Sequence, residues 1–149
     1  MAYQDRRGRL KFGSLTYDDD TGVNIVVTTA GTFYEIKSAD FTALSHKLTT
    51  SASAGTITCP KGTYEIQFAI SGTGEASDLL EAVVHYDTTA TEIAARHDFP
   101  ASGMTDVSIA GGGVIKLASE ADISVKITSN TNADSLDVRA FSLVVKQIG

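Results

Sequence analysis

Apolar and polar side chains alternate with period two along residues 62–72, Gly-Thr-Tyr-Glu-Ile-Gln-Phe-Ala-Ile-Ser-Gly. Tyr64, Ile66, Phe68 and Ile70 fall on one side of the pleat and Thr63, Glu65, Gln67 and Ala69 on the other, as in a strand with one buried face. The same alternation marks Val23, Ile25 and Val27, and again Ile123, Val125 and Ile127. Shorter β-rich pieces lie at 32–36, 56–59, 107–109 and 114–117, and a long one closes the chain at 136–148. In residues 79–86 the stripe Leu79, Leu80, Val83, Val84 has helical spacing. That run spans only about two helical turns and also alternates as Leu80, Ala82, Val84, Tyr86, so it is read as a strand, with 91–97 as its hairpin partner. Phe41, Leu44 and Leu48 are spaced like a helix stripe, but the Ser and Thr around them favour a loop over residues 37–53.

Turn residues separate these runs. The sequence Asp18-Asp19-Asp20-Thr21-Gly22 suits a chain reversal, and Pro60-Lys61-Gly62 suits a hairpin joining 56–59 to 63–71. Gly111-Gly112-Gly113 reads as a tight reversal, or as close backbone packing where copies meet. Between 136 and 145 the apolar phase shifts from even to odd positions near Ala140, which predicts either a bulge or a strand apolar on both faces. Roughly eight to ten short strands without a long helix predict an all-β fold of two antiparallel sheets, a β-sandwich or a jelly roll. Consecutive apolar residues in 114–117 and 141–145 ask for cover on an outer face that a lone two-layer sandwich leaves open.

Composition agrees with one domain. The chain has 149 residues and is rich in turn and strand formers, enough for a core without disulfides or metals. Cys59 is its single cysteine, so no internal disulfide forms, and a buried free thiol is the plain reading. The first residues carry charge with no apolar stretch behind them, unlike a secretory signal, and no segment reaches the roughly 18 apolar residues of a membrane helix. Synthesis in a cytoplasm, with no membrane partner, is the expectation.

Net charge is −6 and unevenly placed. Arg6, Arg7, Arg9 and Lys11 against Asp5 give residues 1–11 a net +3, leaving −9 for the rest. The acidic body argues against nucleic acid as a partner. A basic arm over residues 1–13, ahead of a domain at 14–149, suits docking on an acidic surface such as a neighbouring copy or a larger shell. The plain alternative is a solvated terminus.

Candidate chemistry is sparse. His46, His85 and His97 fall in separate segments without metal-binding spacing, and His85 is expected on a strand's outer face. Cys59 has no histidine near it in sequence to activate a thiolate. The run Asp18, Asp19, Asp20 offers carboxylates to a hard cation, but without the alternating order of a calcium loop it reads as a solvated turn. The three glycines precede a strand rather than the helix that a phosphate loop needs. No catalytic residue, metal or cofactor is expected.

The order Gly62-Thr63-Tyr64-Glu65-Ile66-Gln67-Phe68, Ile109-Ala110-Gly111-Gly112-Gly113-Val114-Ile115-Lys116-Leu117, Glu120-Ala121-Asp122-Ile123-Ser124-Val125-Lys126-Ile127 and a last strand ending at Gln147-Ile148 resembles the jelly roll shared by tumour necrosis factor and the complement globular head. The likeness covers about residues 23–149. It implies that the Gly-x-Tyr strand lies in an inner sheet, that the C-terminal strand returns to the middle of that sheet, and that three domains pack around a threefold axis. The chain also resembles small phage virion proteins built on this jelly roll, capsid decoration proteins and fibre heads. The resemblance implies a homotrimeric decoration protein on the capsid surface whose partner is a major capsid or other shell protein. The docking arm would be Arg6, Arg7, Arg9, Lys11 and Phe12, and the trimer interface Thr63, Glu65, Gln67, Phe141, Leu143 and Val145. The alternative is a receptor-binding module at a fibre tip or tail, recognising a host glycan or protein through loops at 71–78, 98–105 and 129–135.

Overall fold

A computed structural model describes residues 11–75, 78–100 and 105–149. Eleven strands follow in order: β1 Phe12–Val27, β2 Tyr34–Glu35, β3 Thr42–His46, β4 Thr49–Ser51, β5 Thr56–Cys59, β6 Gly62–Thr73, β7 Leu79–Tyr86, β8 Thr89–Asp98, β9 Asp106–Leu117, β10 Ala121–Ser129 and β11 Asp134–Gln147. They form two antiparallel sheets, one ordered β3-β1-β11-β6-β9 and the other β4-β5-β10-β7-β8 with β2 paired to β10. The C-terminal strand β11 lies in the middle of the five-stranded sheet, between β1 and β6, as the jelly-roll resemblance implies.

The alternation decides which residues go inside. Tyr64, Ile66, Phe68 and Ile70 of β6 share one core with Ile123, Val125 and Ile127 of β10 and with Leu143 and Val145 of β11. Fully burying an aliphatic or aromatic side chain is worth about 1.5–3 kcal/mol, so a one-residue slip of β6 would expose four such groups and bury Glu65 and Gln67 instead. Tyr64 keeps its hydroxyl satisfied by donating to the Pro60 carbonyl at 2.7 Å.

Several local expectations are corrected. Residues 37–53 contain β3 and β4 rather than loop alone; their Ser and Thr serve as edge-strand residues, and Phe41 and Leu48 anchor the segment to the core. The peptide at Pro60-Lys61 does not close a hairpin, because β5 pairs β4 and β10 while β6 pairs β11 and β9, so the chain crosses from one sheet to the other there. Gly111, Gly112 and Gly113 sit in the middle of the unbroken strand β9. A Cβ at Gly111 would come 2.7 Å from the Phe68 ring, and one at Gly113 would come 2.8 Å from Ile93, so bulk on the core side is forbidden rather than turn conformation required. The acidic run 18–22 is an irregularity inside β1 and not a reversal: Asp18 pairs Ala140, Val23 pairs Val138, and the residues between are looped out. Gly22 takes the positive φ of 76° that this excursion needs.

The phase shift in the last strand is a bulge. Val138 pairs Gly72, Ala140 pairs Ser71, and Arg139 is the extra residue. Gly72 lies against it so closely that a Cβ would stand 2.0 Å from the Asp137 carbonyl oxygen. Gly72→Ala should therefore push β6 from β11 at the bulge and cost about 1–3 kcal/mol, seen as a lower urea midpoint with an unchanged slope. An unchanged midpoint would mean that the bulge tolerates the separation.

Candidate functional site

Pairing registers assign a face to each residue of the five-stranded sheet, because directly paired residues share a side. Three rows cross the middle of the outward face, flanked by Thr63 with Lys116 on one side and by Asp18, Ala140, Ser71 and Ser108 on the other. The first is His46, Phe12, Lys146, Glu65, Val114; the second Leu44, Ser14, Val144, Gln67, Gly112; the third Thr42, Thr16, Ser142, Ala69, Ala110. Glu65 and Lys146 hold the only formal charges in these rows, and they are neighbours in the ladder. Leu44, Val144 and Val114 stand on this face with 61%, 41% and 58% of their surface exposed. The remaining positions are mostly Gly, Ala, Ser and Thr, which leave two shallow hollows of about 340 and 420 Å³, one beside Tyr17, Ser71 and Ala140, the other beside Gln67, Ala110 and Gly112.

Thr63, Glu65 and Gln67 lie on this outward face. Phe141, Leu143 and Val145 do not: all three are buried within the chain's own core. The bulge at Arg139 is the reason, since it shifts the phase so that odd positions point inward from Phe141 on, and Ser142, Val144 and Lys146 take the outward places. Of the docking-arm residues, Arg6, Arg7 and Arg9 lie outside the described residues. Phe12 is the first residue of β1 and stacks on the His46 ring, with centroids 6.0 Å apart. The Lys11 carbonyl accepts the Gln147 amide at 2.9 Å. Phe12 therefore lies in the first row between His46 and Lys146.

His85 is buried rather than solvated. Phe33, from the segment leading into β2, packs edge-on against its ring with centroids 4.8 Å apart, and its Nδ1 lies 3.1 Å from the Val83 carbonyl oxygen. Burial holds its pKa below the ordinary histidine value, so it is a neutral packing residue. Cys59 is buried as expected, and desolvation, helped by Asp122, pushes its thiol up to about 12. Such a thiol is not a nucleophile at neutral pH.

The second feature is one the sequence reading missed. Glu75, Asp78 and Asp134 bring carboxylate oxygens within 4.8 Å of one another at one end of the sandwich, the only such grouping among the described residues. Asp78 and Asp134 are 8% and 3% exposed. The Thr131 hydroxyl donates to Asp78 Oδ1 at 2.6 Å, the Ser135 amide to Asp134 Oδ1 at 2.7 Å, and the Ser135 hydroxyl to Glu75 at 3.5 Å. The loops are tied together there: the Leu79 amide donates to Asn130 Oδ1 at 2.9 Å, the Phe99 amide to the Asp78 carbonyl at 2.8 Å, and the Gly74 amide to the Thr105 carbonyl at 2.8 Å. No spacing rule announces this cluster, because position 134 meets positions 75 and 78 only through the pairing of β6 with β11 and of β7 with β10. Asp18, Asp19 and Asp20, the run singled out in the sequence, are exposed instead, with Asp19 accepting the Thr21 amide at 2.7 Å.

No family model and no curated protein matches the chain. Solved structures do match in fold. Murine APRIL at pH 8.0 aligns over 94% of this chain and 100% of its own with a TM-score of 0.61 and 15% identity. The vertex protein P5 of PRD1 aligns over 93% and 97% with a TM-score of 0.58 and 13% identity. Eiger TNF from S. frugiperda aligns over 93% and 94% with a TM-score of 0.54 and 9% identity. The chain thus has the jelly roll of the tumour necrosis factor type.

Burial first, and then the neighbouring Asp78, hold the Asp134 carboxyl above the ordinary aspartate value, against hydrogen bonds from Ser129 and Ser135 that lower it. A raised folded pKa means that Asp134 favours folding while protonated, and that this contribution is lost as pH rises through the folded value. Stability should therefore fall as pH rises from the ordinary aspartate range through that raised value. Asp134→Asn should flatten this part of the profile in thermal melts; an unchanged slope would show that the cluster is ionised throughout.

Proposed function

We propose that this jelly roll is a homotrimeric, non-catalytic structural protein of a viral particle, a decoration protein that binds the head shell and reinforces it. The observation that carries the reading is the uncovered outward face of the five-stranded sheet, whose three central rows are small in their side chains and hold only Glu65 and Lys146 as formal charges on an otherwise acidic chain. A face of that kind meets copies of itself without the repulsion that the −9 body would impose elsewhere. Exposed apolar side chains gathered on one face mark a protein contact rather than ordinary surface, and closed cyclic assembly is the common way to cover such a face. The fold likeness to the PRD1 vertex protein supports a place on a virion.

Within this reading Arg6, Arg7 and Arg9 supply the contact with an acidic shell surface. Three exposed charge contacts of about 0.5 kcal/mol each multiply to roughly tenfold in affinity. In co-sedimentation with purified capsids, a chain lacking residues 2–10 should bind roughly tenfold more weakly and lose the steep salt dependence of the full chain. Equal binding by both would remove the arm from the docking surface. Val144→Glu, placed on the exposed face where it leaves the core intact, should convert the assembled form to monomer.

A second reading has its own observation. The described ends of the loops at 71–78, 98–105 and 129–135 converge at one end of the sandwich through the hydrogen bonds around Asp78 and Asn130, and loops grouped on a rigid β-scaffold suit recognition of a host glycan or protein. Particle imaging separates the two. Threefold density on the shell lattice supports decoration, and density at a fibre end supports recognition.

A further inference from the structure

We infer that the chain stands end-on on its partner, and that the end of the five-stranded sheet where β1 begins is a basic plate fitting a carboxylate-rich protein surface. This rests on the decoration reading and adds which part of the body meets the shell. The pairing registers fix the two ends of the sandwich. At one, Phe12 pairs Lys146 and His46, Thr63 pairs Lys116, and Gly62 pairs Leu117. At the other, Val27 pairs Asp134, Thr73 pairs Asp106 and Asp137, and Leu79 pairs Asp98. Lys11, Lys47 and Lys61 adjoin Phe12, His46 and Gly62 in the chain, so they join Lys116 and Lys146 at the first end, where Glu65 lies beside Lys146. The opposite end gathers Glu75, Asp78, Asp98, Asp106, Asp134 and Asp137, with no lysine there among the described residues.

Ion pairing divides the cations in the same way. Arg96 is paired with Glu81, Lys126 with Glu35 and Arg139 with Asp137, all in the middle of the strands or toward the acidic end. Lys61, Lys116 and Lys146 are exposed and form no ion pair among the described residues. On a chain of net charge −6, cations left without a counter-ion complement carboxylates on a partner. Distance isolates them from the acidic end. β6 and β9 have twelve residues each, which sets the ends about 36 Å apart, several times the roughly 8 Å over which exposed charges act at physiological salt. A partner at the plate therefore meets lysines rather than the net charge of the chain. The six-stranded sheet places Asp87, Glu120 and Asp122 on the same side, and their repulsion confines the contact to the end of the five-stranded sheet. Arg6, Arg7 and Arg9 precede Lys11 in sequence, so the basic arm joins the body at the plate.

Lysine-acetylation footprinting of the intact chain tests this, with poly-L-glutamate as the acidic probe and purified capsids as a second one. Bound poly-L-glutamate should slow the acetylation of Lys61 and Lys116 and leave Lys37, in the cleft beside β2, unchanged. Uniform protection, or none, would overturn the plate. Lys61→Glu combined with Lys116→Glu should weaken binding of the probe roughly tenfold at an unchanged solution mass, while Lys37→Glu should leave it as it is. Equal losses would show that net charge alone drives binding, which also overturns the plate. Capsids that sediment with the chain but leave Lys61 and Lys116 unprotected would overturn end-on docking while leaving decoration standing. Capsids that do not bind the chain would remove decoration, and poly-L-glutamate alone then decides the surface. Protection of the same lysines by phosphatidylserine vesicles but not by poly-L-glutamate would make the partner a membrane. Unlimited growth of the solution mass at low salt would make it the acidic end of another copy, and either result overturns a carboxylate-rich shell protein as the partner.

Discussion

The structure depends on the ladder that holds β11 between β1 and β6. This strand fixes the inner and outer faces of the five-stranded sheet for its neighbours at once, since β1 reads its register from one edge and β6 from the other. Phe141, Leu143 and Val145 then complete the core with Tyr64, Ile66, Phe68 and Ile70, and everything opposite them becomes surface. The bulge at Arg139 is the adjustable point: it lets Leu136 and Val138 on one side and Phe141 onward on the other all point inward. Without that extra residue, half of the strand would turn its apolar groups to solvent.

The outward face follows from the same ladder. Its composition is unusual for the exposed side of a sheet, where a water-facing surface normally carries charge at most positions. Ser, Ala and Gly keep the relief low, and Leu44, Val144 and Val114 rise from it. In the proposed assembly the acidic body would oppose contact by other surfaces, so the same charge imbalance that separates arm from body would also select the face that associates.

The alternating strands were legible in the sequence because period two survives in β6, β7, β8, β10 and much of β11. What was hidden had specific causes. β3 and β4 are short edge strands whose Ser and Thr carry no periodic signal. The connection at Pro60 has the residues of a hairpin, but its partners are decided by long-range pairing that no local rule contains. Gly111, Gly112 and Gly113 look like a turn because glycine more often serves conformation than clearance; here Phe68 and Ile93 demand the space at Gly111 and Gly113. Thr63, Glu65 and Gln67 were assigned to the outer face from their alternation. Phe141, Leu143 and Val145 were misassigned because hydrophobicity alone does not distinguish a core stripe from an interface. Glu75, Asp78 and Asp134 were invisible since only the fold brings them together.

The central claim is that the outward face of the five-stranded sheet is covered by two further copies. Light scattering on the eluting protein at micromolar concentration tests it most directly. The account predicts a mass of about 47 kDa, three times the 15.7 kDa chain, falling to the single-chain mass in Val144→Glu; a parent chain that stays at 15.7 kDa across that range would contradict it.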